Sequence, residues 1–118
     1  MTTNYTELTQ EISKTLVGFG KEMPEVMTSF HTLSQSATKE GALSKKTKEL
    51  IALGISVAKR CDPCIGYHMK ALIKLEVTRN EVLETLNLAV YLGGGPALMY
   101  AAKAIQAFEE LTGQTSVK

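Results

Sequence analysis

Between Glu84 and Lys103 the chain carries no charged side chain. A run of this length and polarity has to be hidden from water, in a bilayer or inside protein. Its middle decides between the two. Gly93-Gly94-Gly95-Pro96 cannot continue a helix: glycine loses the most backbone freedom on ordering, and proline lacks an N–H and collides with the preceding turn. The run therefore reads as two helices meeting at a break, with Asn87 inside the first, and burial in protein is the expectation. The small residues of AVYLGGGPALMYAAKAI let helices approach closely. One small domain has too little else to cover so much apolar surface, so a homo-oligomer is expected.

The rest of the chain patterns the same way. Leu8, Ile12, Leu16 and Phe19 recur at helical spacing from Tyr5 onward, and Gly18 and Gly20 are expected to end that helix. Pro24 opens a second helix with Val26, Met27, Phe30 and Leu33 as its buried face. SQSATKEG reads as a polar link, after which Ser44 caps a third helix. A fourth runs from Pro63 to about Leu75, with Ile65, Met69, Leu72 and Ile73 for packing. Thr78-Arg79-Asn80-Glu81 is a capping box that starts a fifth, with Leu83, Leu86, Val90 and Tyr91 facing inward. The β-branched residues of 51–57 lie within a longer helical pattern, and no stretch reads as a strand. The fold class is all-α, about six helices in one domain, with N-terminal helices over about 4–38 and a core motif region over about 43–111. The polar tail after Leu111 is expected to fray.

Charge excludes some partners. Thirteen basic and twelve acidic residues are interspersed for a net +1, so there is no basic stripe for nucleic acid. The polar start MTTNYTELTQEISK lacks the apolar centre of a signal peptide, which points to a cytoplasmic protein with reduced thiols and no membrane partner.

The chemistry concentrates between Glu49 and His68. Cys61-Asp62-Pro63-Cys64 places two thiols close enough to join as a disulfide if the second lies in the first turn of a helix. Asp62 is expected as the N-cap and Pro63 as the first helical residue, which puts the Cys64 sulfur near free N–H groups and the positive helix end. His68 follows at i+4 on the same face, where it can take the thiol proton. Lys59 and Arg60 add positive charge and Asp62 opposes it. Glu49 lies beside a stripe of Leu50, Ile51, Gly54, Val57 and Ala58. If that helix folds back on the next, Glu49 can face the thiols as proton acceptor or donor. Half a zinc site is the competing reading of C-x-x-C, but the chain lacks the further cysteines or paired histidines it needs. Cys61, Cys64, His68 and Glu49 chelating one metal, or an inert structural pair, are the other readings. His31 has no such company and is expected to be structural or exposed. No flavin, nicotinamide, phosphate-loop or serine-nucleophile fingerprint is present.

Glu, twelve residues, then C-x-x-C-x-x-x-H resembles the alkylhydroperoxidase (AhpD) branch of the carboxymuconolactone decarboxylase family. GALSKKTKELIALGISVA and NEVLETLNLAVYLGGGPALMYAAKA resemble its flanking helices, and the likeness spans roughly Phe30 to Phe108. The resemblance implies an AhpD-like helical bundle assembled as trimers or hexamers. It implies reduction of a small-molecule hydroperoxide, with Cys64 attacking, Cys61 resolving, His68 deprotonating Cys64 and Glu49 shuttling the proton. No bound cofactor or metal is expected from the residues, and the resemblance implies an external dithiol reductant on a lipoyl-bearing protein. Two departures stand out: Pro63 occupies a place where better-known members carry a second histidine, and Glu76 lies where many have glycine. Decarboxylation of a carboxylactone, or a non-enzymatic metal-binding or redox-sensing oligomer, are the alternatives.

Overall fold

The computed structural model describes residues 4–114 as six α-helices, with no strand among the described residues. They are α1 (Tyr5–Glu22), α2 (Pro24–Thr38), α3 (Lys45–Ala58), α4 (Asp62–Lys74), α5 (Arg79–Gly93) and α6 (Gly95–Thr112).

Local chemistry accounts for most of the boundaries. The Ser44 hydroxyl accepts the Thr47 amide at the start of α3, and the Thr78–Glu81 capping box is formed in both directions at the start of α5. Gly94 joins α5 to α6 at φ 73°, a left-handed value that favours glycine, and Pro96 fits the first turn of α6. Two boundaries, those ending α1 and α2, differ from the sequence expectation. α1 runs through Gly18 and Gly20 to Glu22, because isolated glycines each cost a helix only about 1 kcal/mol. The polar segment after Leu33 stays helical to Thr38, leaving 39–44 as the link.

The far end of α4 closes without glycine. Glu76 takes φ 60°, its amide donates to the Ile73 carbonyl, and the Val77 amide donates to that of Leu72. This is the Schellman arrangement, built here at a cost of about 1 kcal/mol for the left-handed residue.

The core lies among α3 to α6. Leu53, Val57, Ile65, Met69, Leu72, Val82 and Phe108 interlock there, and the alanines Ala97, Ala101, Ala104 and Ala107 let α6 lie close against its neighbours. α1 adds Tyr5 and Thr9, seated over Gly66 of α4. A Cβ at Gly66 would come within 2.6 Å of Thr9 Cγ2 and 3.2 Å of Tyr5 Cδ1, so only glycine permits this approach.

Three faces fall otherwise than periodicity suggested. No residue of α2 is buried: Phe30 is 61% and Leu33 62% exposed, Val26 lies open and Met27 is half-covered. The helix is amphipathic as expected, but the described residues leave most of its apolar side uncovered. The buried face of α3 is Glu49, Leu53, Ser56 and Val57. Leu50, Ile51, Gly54 and Ala58 instead line an open apolar groove of about 550 Å³ against Leu88 and Leu92 of α5. On α5, Val82, Leu86 and Ala89 turn inward, Leu83 and Val90 are half-buried, and Tyr91 points out at 80% exposure. The charge-free run is thus part core and part uncovered surface, since Leu88, Leu92, Leu98 and Met99 are also exposed. Among the described residues no helix is long and apolar enough to cross a membrane. The last four residues of the polar tail, 115–118, lie outside the described residues.

Candidate active site

Two adjacent helices and the turn between them build the site. Arg60 takes φ 59° in that turn, where its amide donates to the Val57 carbonyl and the Cys61 amide to that of Ser56. Cys61 is the N-cap of α4: its sulfur accepts the Cys64 amide at 3.3 Å. The helix therefore begins one residue earlier than expected, with Asp62, Pro63 and Cys64 filling its first turn. The cause is tertiary. Asp62, the expected cap, has its carboxylate engaged elsewhere, with Oδ1 3.0 Å from the Tyr5 hydroxyl and Oδ2 3.1 Å from Lys103 Nζ. The sulfur takes over the vacant capping position.

Cys61 and Cys64 are joined by a disulfide with S–S 2.06 Å and Cα–Cα 5.2 Å. The spacing thus lets the pair close as a disulfide, as the sequence reading expected. Both residues are half-buried. His68 lies one helical turn beyond Cys64. Its Nδ1 is 2.7 Å from Glu49 Oε1 across the α3–α4 contact. Glu49 is only 6% exposed, whereas His68 keeps about a third of its side chain open. The acid that periodicity placed beside an apolar stripe is thus buried, and it meets the imidazole. With Nδ1 donating its proton to the carboxylate, Nε2 is left as the basic nitrogen.

The sequence reading missed Tyr5 and Lys103. Tyr5 is fully buried, and burial first, then the Asp62 carboxylate, push its phenol well above the ordinary tyrosine range. It therefore remains an O–H donor to Asp62 throughout the physiological range. Lys103 Nζ also lies 5.5 Å from the centroid of the Tyr100 ring. One signal for Lys103 was available: it is the single charge on α6 before Glu109, and a lone charge on an apolar helix needs a partner. His31 is exposed on α2. Among the described residues no three His, Cys, Asp or Glu side chains are grouped as a metal site.

Residues 24–107 match the profile of the carboxymuconolactone decarboxylase family. The crystal structure of an apo protein of that family from Legionella pneumophila superposes with a TM-score of 0.89 at 58% identity, covering 92% of this chain and 96% of the other. A Thermotoga maritima protein of the family, for which a part in the antioxidative response has been suggested, gives 0.81 at 28% identity over 89% of this chain and 90% of its own. An uncharacterised Cupriavidus necator protein is 35% identical over 111 residues, 94% of this chain and 98% of that one.

Proposed function

The chain belongs to the carboxymuconolactone decarboxylase family, and from that premise we propose that it is an AhpD-like thiol peroxidase, an oxidoreductase that reduces hydroperoxides through Cys61 and Cys64. The observation that carries this reading is the pairing of buried Glu49 with half-buried His68, one helical turn from a cysteine pair able to close. A decarboxylase has no use for two thiols at disulfide spacing.

In the reduced protein the Cys64 thiol passes its proton to His68 Nε2, and the thiolate attacks the outer oxygen of the hydroperoxide. The O–O bond breaks, the alkoxide takes the proton back from His68 and leaves as the alcohol, and Cys64 becomes a sulfenic acid. The Cys61 thiol then attacks the Cys64 sulfur. Its proton leaves with the hydroxyl as water, and the disulfide forms. Two electrons pass from the thiols to the peroxide. Glu49 holds the Nδ1 proton throughout, so His68 presents the same nitrogen at each step. An external dithiol, expected on a lipoyl-bearing partner protein, restores the thiols by two exchanges. Such a cycle suits the reducing cytoplasm.

The test is a count of free thiols on the reduced protein before and after one equivalent of an organic hydroperoxide. Both cysteines are expected to disappear and one alcohol to form, and with excess dihydrolipoamide the cycle is expected to turn over. An unchanged count would instead favour lactone decarboxylation or a mute scaffold. Oxidation without turnover would make the pair a redox sensor.

We also propose that the chain assembles with copies of itself, as trimers or hexamers. Support comes from the uncovered apolar faces, Phe30 and Leu33 on α2 and Leu88, Leu92, Leu98 and Met99 at the α5–α6 break. Sedimentation at micromolar concentration is expected to give a multiple of the 12.8 kDa chain mass. A monomer there would remove the claim.

A further inference from the structure

Asp62 is an awkward residue for a thiolate site. It stands between the two cysteines, and a carboxylate so close disfavours a second negative charge on either sulfur. The structure does not leave that carboxylate free. Tyr5 of α1 donates to one oxygen at 3.0 Å and Lys103 of α6 to the other at 3.1 Å. Neither donor belongs to the motif, and both are positioned by the fold. Tyr5 is fully buried, and the amides of Tyr5 and Thr6 are held by the Glu110 carboxylate of α6 at 2.8 and 3.2 Å. The Asp62 and Lys103 side chains are each about seven-tenths covered, so their ion pair is less screened than one on the open surface.

We propose that Lys103, assisted by Tyr5, is a positioning residue that offsets the charge of Asp62 and so keeps the motif thiols able to ionise at neutral pH. This rests on the thiol chemistry proposed above and adds a device that the motif alone does not contain. The other charged groups on α4 and on the elements packed against it are either bonded elsewhere or exposed. Glu49 of α3 is bonded to His68, Lys70 donates to Thr9 Oγ1, and Glu110 holds the start of α1. Lys59 and Arg60, in the turn before the motif, are exposed, as are Glu7, Glu11 and Lys14 of α1. Lys103 is thus the cation in contact with the acid between the cysteines.

The prediction is a mutant cycle read on the fully reduced full-length chain. Iodoacetamide alkylation of each cysteine is followed by peptide mass across a range of pH. Lys103→Met is expected to slow alkylation near neutrality by about three- to tenfold and to move its pH profile upward, the size of effect that one partly screened charge exerts. Lys103→Arg is expected to restore most of the rate, and Tyr5→Phe to cost less than Lys103→Met. Asp62→Asn is expected to react as fast as the wild type or faster, and Asp62→Asn/Lys103→Met to match Asp62→Asn. A Lys103→Met rate unchanged from wild type would overturn the proposal. So would a double variant as slow as Lys103→Met alone, which would mean that the lysine acts on sulfur directly. Should Lys103→Met fail to fold, Asp62→Asn still decides, because slower alkylation there contradicts an offset of its charge. Alkylation needs no peroxide turnover, so a chain that shows the cycle yet consumes no peroxide keeps this inference and loses the peroxidase reading.

Discussion

Replacing Cys64 by serine is expected to lower peroxide turnover by about a thousandfold or more, because a serine hydroxyl offers no thiolate for His68 to generate near neutral pH. Cys61→Ser is expected to stop the cycle later. Its Cys64 can still attack once, and the protein should halt as a sulfenic acid, seen by mass spectrometry as one added oxygen that dimedone captures. The pair of variants also decides which sulfur attacks. Cys61 sits at the head of α4 and its sulfur takes the Cys64 amide, so it too feels the positive helix end. Cys64 has the imidazole one turn away, which is why the attack is assigned to it. A sulfenic acid trapped in Cys64→Ser, and none in Cys61→Ser, would exchange the two roles.

Glu49→Gln is expected to reduce turnover by about a hundredfold while leaving the fold intact. The carboxylate accepts from His68 Nδ1 in a buried setting, at 2.7 Å. An amide of the same shape can present either its oxygen or its NH2 group. If the NH2 faces the ring, it forces the proton onto Nε2 and removes the base. Thermal unfolding should change little, and the loss should appear in the pH profile of the second-order rate with peroxide. Two thiols should still be consumed per chain once oxidation is complete. A rate equal to that of the wild type would detach the Glu49–His68 pair from the chemistry.

How much of this was readable in the sequence depended on the range of the interaction. Caps made from neighbouring residues were legible: Ser44, the Thr78–Glu81 box, Pro24 and the glycine–proline break all stand where their local chemistry put them. The spacing from Glu49 to His68 located the acid on one helix and the imidazole on the next, and folding α3 against α4 brought them together. The misplaced cap was set by residues far along the chain. Cys61 displaced Asp62 as the cap because Tyr5 and Lys103 occupy the carboxylate. On α3 the inward face carries Glu49 and Ser56, so a search for apolar residues favoured the neighbouring stripe along the groove. The side chains of α2 were assigned to a core that the single chain does not extend over them.

Tyr5 reaches along α4 from Gly66, which its ring edge crosses, to Asp62, which its hydroxyl holds. These two contacts tie together positions that would otherwise drift separately. A methyl group gained at Gly66 would lift the ring and with it the hydroxyl, so such a change is survivable only alongside a smaller residue at 5 or 9. The first helix thus answers to two positions of α4 at once, to one through its ring and to the other through its hydroxyl.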